Sequence, residues 1–371
     1  MRYATNIKSS KVADYMFIVG ASDNLDILHT ASTIEELSFE CHITDRYPVS
    51  EREDMSFPEG VHLFCLPSGL KLKHGYHRPT FHSFVHTSES GMRLLGSCLT
   101  FYEPLTVNQI EQLKAICGNI AGLDGDVTAE HRKWWIPRCL CLISQWQFAY
   151  AFKQVLCQLY LMSFESLPLP LERYICNFID DVPAPPVGRV DITYYLGSAT
   201  ICFRCPSLNQ PHAWSGLPLN PLFECISVSN ILLLFSAIVA ERQIVYISSQ
   251  YSLLTYCIEA MNSFIYPLKW SHVYIPILPV SLIGVLGAPV PFQVGIHSSF
   301  IKKLDPENTI TVSDFENSSL IRESQNAIRV YLDFDHIELG EEGSPPALPE
   351  PRGKKLLEVQ YQHDTLVCKE I

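Results

Sequence analysis

Apolar and polar positions along this chain follow two rhythms. Tyr15 to Gly20, Val61 to Leu66, Thr80 to His86 and Met92 to Phe101 are short apolar or alternating runs separated by Gly, Pro and Ser, and each predicts a strand. The segment 22–58 is polar, carries charges of both signs and predicts helix or loop around Ile34 to Leu37. Thr106 opens a helix with Ile110, Leu113 and Ile116 on one face, and Thr106-x-x-Gln109 has the spacing of a capping box. Several strands with one flanking helix make a small α/β layer over 11–121. Gly122 to Lys133, made of Gly, Asp, Thr and Glu with little to bury, predicts a linker.

From Trp134 the pattern changes. Cys139 to Ser144 is a fully apolar strand, and Gln147 to Met162 a helix in which Phe148, Phe152, Val155, Leu156 and Leu159 recur every three or four residues. Leu171 to Ile179 repeats that spacing; Ile192 to Tyr195 and Thr200 to Phe203 predict a hairpin; Ile231 to Ala240 predicts an apolar helix too short to cross a bilayer. Strand Gln243 to Ser248, helix Leu253 to Phe264 and strand Val273 to Ile277 predict a βαβ unit with a right-handed crossover, and Ile328 to Phe334 a last strand. The larger lobe therefore runs over 134–336, a central mixed sheet flanked by helices. After Glu338 the composition turns to Gly, Pro, Glu and Lys, which predicts a disordered tail over 337–371.

Between Trp270 and Ile301 there is no Asp, Glu, Lys or Arg, a length that invites a membrane-helix reading. Pro276, Pro279, Pro289 and Pro291 cut it, and each removes a backbone donor and clashes with the preceding turn, so buried strand, short helix, buried strand is the expectation. The surrounding sequence is specific. It contains Glu241-Arg242-Gln243-Ile244 running to Ser248, Ser252-Leu253-Leu254-Thr255 and Tyr266-Pro267-Leu268-Lys269-Trp270. Tyr274-Ile275-Pro276-Ile277-Leu278-Pro279 and Ala288-Pro289-Val290-Pro291-Phe292 follow. This series, in this order, resembles the central part of a DENN module. Ala13-Asp14-Tyr15, Phe64 to Leu70 and Leu99 to Tyr102 resemble that family's N-terminal segment, and Pro137 to Ser144 the opening of its central one. The resemblance covers roughly 11–336. It implies a longin-like N-terminal lobe, a larger DENN core with a small GTPase of the Rab type held between the lobes, and accelerated GDP/GTP exchange on that GTPase in membrane traffic. The family's third, C-terminal segment is expected to be missing or truncated.

Composition narrows the rest. Hydrophobic residues make up 47% and charged ones 18%, enough to build buried cores at a length of 371 residues. A net charge of −12, with no Lys/Arg block, opposes a phosphate backbone, so nucleic acid is not an expected partner. Thirteen cysteines, most of them inside apolar runs, read as small buried hydrophobes of a reducing compartment. The first ten residues hold no apolar signal core. The expectation is a cytoplasmic protein with no integral membrane segment, placed peripherally on trafficking membranes through partners.

Little in the sequence speaks for covalent chemistry. Cys202-Phe203-Arg204-Cys205 lacks a second pair at finger spacing and alternates like a strand. His74, His77, His82 and His86 straddle a turn and a strand, and 82 and 86 share a face that reads as a solvated edge. Phosphate-cradling glycine loops and hydrolase signatures are not seen. Pro346 to Pro349 reads as linker, and Cys368, followed by Lys369 and Glu370, as an ordinary tail residue. No cofactor, metal or catalytic side chain is expected. An exchange factor needs a rigid surface, and two places offer one. Gln250, Tyr251 and Ser252 occupy a strand-to-helix turn, with Ser252 the expected N-cap. Trp270 and His272 form a corner that offers an aromatic anchor, though Trp270 and Tyr274 suit corner packing as well. Glu241 and Arg242 are charge partners at a strand entrance, for GTPase or for scaffold. Two further readings stay open: a GTPase-activating protein using Arg78 as an arginine finger, and a non-catalytic Rab-binding adaptor.

Overall fold

Short apolar runs become strands where neighbours can complete them, and the computed structural model shows which neighbours do. It describes residues 9–22, 25–29, 33–52, 55–87, 91–117, 133–188, 190–206, 216–300 and 326–347. Most of the expected linker, 122–132, lies outside the described residues, as do Leu348, Pro349 and Cys368. The chain forms two compact units, residues 1–210 with 279–281, and 211–278 with 282–371.

The first unit begins with β1 (Tyr15–Gly20), β2 (Ile27–His29), β3 (Ser38–Phe39), β4 (His42–Tyr47), α1 (His62–Cys65), β5 (Lys73–His74), β6 (Thr80–Thr87) and β7 (Arg93–Pro104). It continues with α2 (Val107–Cys117), β8 (Trp134–Ser144), α3 (Ala149–Met162), α4 (Leu171–Asp181), β9 (Ile192–Leu196) and β10 (Ala199–Phe203). Its main sheet is antiparallel, in the order β4-β1-β8-β7-β6, with β5 on the early part of β8. Buried on both faces over Cys139 to Ser144, β8 reads there as an apolar run for that reason. α3 covers one face, where the Phe101 and Tyr160 rings stand 5.1 Å apart. α1 covers the other, with Phe64 stacked on Phe84 at 5.2 Å. Phe203 of β10 packs against Phe148 at 5.5 Å and against Phe178 of α4 at 6.1 Å.

Two expectations fail here for physical reasons. Val61 to Leu66 is not extended: His62–Cys65 forms one helical turn, with Val61, Phe64, Cys65 and Leu66 buried and His62 and Leu63 half-buried, and a run this short does not declare its period. β4 is a strand with polar, half-open side chains and β1 as its one partner, an edge that leaves no apolar alternation to read. The capping box does form. The Gln109 amide donates to Thr106 Oγ1 at 3.3 Å, and the Thr106 amide donates to Gln109 Oε1 at 3.0 Å. The compact units divide at Gln210 and Pro211 instead of within 122–133, because β8, the first element past that segment, is the centre of the first sheet.

The second unit holds α5 (Asn220–Cys225), α6 (Val228–Val239), β11 (Ile244–Ser248), α7 (Tyr251–Phe264), β12 (Val273–Ile275), β13 (Phe292–His297), β14 (Ile328–Tyr331) and β15 (His336–Glu338). The strand order is β12-β13-β11-β14-β15, parallel except for β15. β13 therefore sits between β11 and β12, and the expected βαβ unit skips a strand. The prolines act as punctuation: β12 ends just before Pro276 and β13 begins just after Pro291, with 3-10 turns over Val280–Gly287 between them. α7 packs on β11 and β13, and α5 and α6 pack on α7. The segment from 337 onward, expected to be disordered, begins as strand: β15 pairs β14, and Arg242 Nε meets Glu342 at 2.9 Å. No helix among the described residues is long and apolar enough to cross a membrane.

One position fixes how closely the proline-bounded segment lies on the sheet. A Cβ at Gly295 of β13 would stand 2.0 Å from the Pro276 carbonyl oxygen, and the Leu278 amide donates to the Gly295 carbonyl at 2.8 Å. Gly295→Ala should therefore cost about 2 kcal/mol or more through backbone displacement, read as a lowered urea midpoint at unchanged m-value.

Candidate functional site

β11 ends at Ser248, and the chain must turn at once into α7. Two outside residues hold that turn. The Ser248 hydroxyl, fully buried, donates to Asp333 Oδ1 at 2.7 Å and accepts the Gln250 amide at 3.1 Å. The Ser249 amide donates to the other Asp333 oxygen at 2.7 Å. From the far side, His297 at the end of β13 reaches the Ser249 carbonyl with Nε2 at 2.8 Å. A carbonyl only accepts, so Nε2 carries the proton and Nδ1 is the acceptor. Ser299 matches this, its hydroxyl 2.7 Å and its amide 3.2 Å from Nδ1. Tyr251 stacks on the imidazole with centroids 4.3 Å apart. The carboxyl ends of β11, β13 and β14 thus converge on one turn, the place where parallel sheets present contacts to ligands.

The sequence-predicted residues separate into two groups. Gln250, Tyr251 and Ser252 lie on the braced turn, Gln250 exposed and the other two half-buried. Ser252 is not the N-cap. That position falls to Gln250, which makes no side-chain cap bond, because Ser248 and Asp333 take over the work of a cap from outside the helix. Glu241, Arg242, Trp270 and His272 lie at the other end of the same strands.

Each member of that second group has an internal partner. Glu241 (φ 54°) closes α6: its amide donates to Ile238 and the Arg242 amide to Ala237, both at 3.0 Å, a Schellman pair with a non-glycine residue in the left-handed position. The Glu241 carboxylate meets His272 Nε2 at 3.1 Å. Arg242 pairs with Glu342, so Glu241 and Arg242 are not each other's partners. Trp270 is buried, its indole N–H donating to the Val273 carbonyl at 3.1 Å. Arg78 belongs to the first unit, exposed in the loop between β5 and β6.

Sequence reasoning missed Asp333, His297 and Asp335. Asp335 accepts from the Ser227 amide at 2.7 Å and from Asn230 Nδ2 at 2.9 Å, capping the start of α6 from a distant loop. The signal was present: Asp333-Phe334-Asp335 follows an apolar strand directly, in a parallel sheet whose helix starts lie at that same edge. Ser248 gives its proton to Asp333 and His297 is committed to Ser249 and Ser299, so the three are not wired as nucleophile, base and orienter. The arrangement can bind; it does not prepare a covalent step.

The histidines expected at a solvated edge have separate fates. His82 is buried under α1, with Nε2 3.1 Å from the Phe64 carbonyl, and burial pushes its pKa down to about 4. His74 packs edge-on against Trp134 at 5.4 Å, and His77 lies 5.2 Å from Tyr102. Of the C-x-x-C pair, Cys202 is exposed and Cys205 buried, on a strand and just past it.

Two outcomes follow. Asp333→Ala removes both bonds to the turn and should cost about 1–2 kcal/mol, with faster amide exchange at 249–251 than elsewhere in the second unit. His82 stays neutral in the fold while the unfolded chain titrates near pH 6.5, so its share of stability is complete above that pH. That share drains away as pH falls toward about 4, up to about 3 kcal/mol. Denaturation midpoints at pH 7 and 5 should converge in His82→Gln relative to the parent.

Two family models match the chain. The one described as the DENN (AEX-3) domain covers residues 135–318, and the one described as the uDENN domain covers 41–101. The turn at 248–252 and His297 fall inside the first match; Asp333 falls beyond it.

Proposed function

Because this chain belongs to the DENN-domain family, we propose that it is a guanine-nucleotide exchange factor that promotes GDP release from a Rab-type small GTPase. The DENN domain supports the coarser role, Rab regulation in membrane traffic, directly. The observation that carries the finer reading is the turn at Ser249 to Ser252. It projects an exposed amide side chain from a strand end braced by Asp333 on one side and His297 on the other.

Exchange needs no bond broken in the factor. It needs a surface that binds the nucleotide-free GTPase more tightly than the loaded one, since only that difference lowers the barrier to release. A thousandfold acceleration corresponds to about 4 kcal/mol of such preference. A few hydrogen bonds and one buried aromatic contact supply that, provided the surface does not have to order itself on binding. Gln250 offers two donors and an acceptor to a displaced switch segment, Ser252 a hydroxyl at the first turn of α7, and Tyr251 an apolar edge held by its stack on His297. Glu241, Arg242, Trp270 and His272 keep the scaffold in register from the opposite end of the strands.

The test is release of a fluorescent GDP analogue from a panel of Rab GTPases. One member of the panel should lose nucleotide faster, and Gln250→Ala and Tyr251→Ala should each slow this about tenfold, some 1.4 kcal/mol, with the fold intact by circular dichroism. Arg78→Ala should leave release unchanged. Stable binding without release would instead identify an adaptor, and accelerated GTP hydrolysis lost in Arg78→Ala a GTPase-activating protein.

A further inference from the structure

Four cysteines far apart in sequence meet beneath α1. Cys98 of β7 lies directly opposite Cys141 of β8 in the strand register, and Cys139, two residues earlier, shares that face. Cys65 comes down onto them from α1, its thiol donating to the Val61 carbonyl at 3.7 Å. All four are fully buried. The sulfurs of Cys65, Cys98 and Cys141 all lie within 4.8 Å of one another. Cys139 is the next buried thiol on that strand face. We propose that Cys65, Cys98 and Cys141, with Cys139 as fourth donor, form a structural zinc(II) site that ties α1 to β7 and β8.

The donor set argues for the ion. Four sulfurs and no oxygen exclude magnesium, calcium and manganese and select a soft or borderline metal. Tetrahedral zinc with Zn–S near 2.3 Å places its sulfurs about 3.8 Å apart, and the sulfurs of Cys65, Cys98 and Cys141, all within 4.8 Å of one another, already approach that span. Binding changes no oxidation state. Each coordinating thiol gives up its proton to solvent, and Zn²⁺ offsets thiolate charge that an apolar interior would otherwise not hold. Because zinc binds thiolate and each thiol must lose its proton, affinity should rise with pH.

Such a site departs from the sequence expectation of no metal, and the reason is topological. Zinc motifs are recognised by ligand pairs two to four residues apart, whereas here three elements spanning 65 to 141 each contribute, and only Cys139 and Cys141 are near neighbours. The exposed Cys202, which sequence spacing singles out, lies on the hairpin β9–β10 and serves as the control.

The full chain, purified under reducing conditions without chelator, would be measured by plasma mass spectrometry. About one zinc per folded chain is expected, and cobalt(II) replacement should produce intense sulfur-to-metal charge-transfer absorption. Cys65→Ser and Cys98→Ser should each lower bound metal at least tenfold, while Cys202→Ser retains it. Should the serine variants fail to fold, X-ray absorption at the zinc edge of the parent protein decides, with a shell of three or four sulfurs expected. A folded, reduced chain that takes up no zinc as isolated or on refolding with zinc present overturns the proposal. So does a nitrogen and oxygen shell, or full retention of zinc in folded Cys65→Ser.

Discussion

A parallel strand that ends inside a protein leaves its last amides without partners just where a helix is about to leave four more. At the end of β11 both debts fall on Ser248 to Gln250: the Asp333 carboxylate accepts the Ser249 amide at 2.7 Å and holds the Ser248 hydroxyl at 2.7 Å, and that hydroxyl in turn accepts the Gln250 amide. His297 donates to the Ser249 carbonyl. Because Asp333 follows β14 and His297 ends β13, the geometry of the turn depends on both neighbours being paired to β11 in register. A surface turn is thereby tied on both sides to the strands beneath it.

That dependence explains which parts of the fold were legible. β1, β6, β7, β8, α3 and α7 announce themselves because each buries a stripe or a face whose period survives in the sequence, as Phe152, Val155, Leu156 and Leu159 do on α3. β4 was invisible because an edge strand of His42, Thr44, Asp45 and Arg46 buries too little to leave a pattern. Val61 to Leu66 was misread because a single helical turn and a short strand need the same number of apolar residues. β13 was read as a strand, yet its insertion between β11 and β12 could not be, since nothing local in a parallel strand names its neighbour.

At the candidate site the sequence located the turn but not its supports. Gln250, Tyr251 and Ser252 follow from a strand run meeting a helix run. Asp333 and His297 lie at other strand ends, and only the strand order brings them together. The same logic separates Glu241, Arg242, Trp270 and His272, adjacent to the site in sequence yet a strand length away in space, with ion pairs and a helix cap of their own. The thiol cluster beneath α1 was hidden in the same way, each cysteine looking like an ordinary small core residue until β7 and β8 are paired.

β15 is short, polar at its ends and easily taken for the beginning of a tail. It nonetheless occupies the outer side of β14, a fully buried strand of Ile328, Arg329, Val330 and Tyr331, and Glu338 neutralises the Arg329 guanidinium there at 3.1 Å. A chain cut before His336 would carry a bare apolar margin with a buried cation beside it, a template for docking onto another copy of itself. His336 to Glu338 thus do for the molecule what a hem does for cloth: they add little fabric and keep the sheet from joining its neighbours.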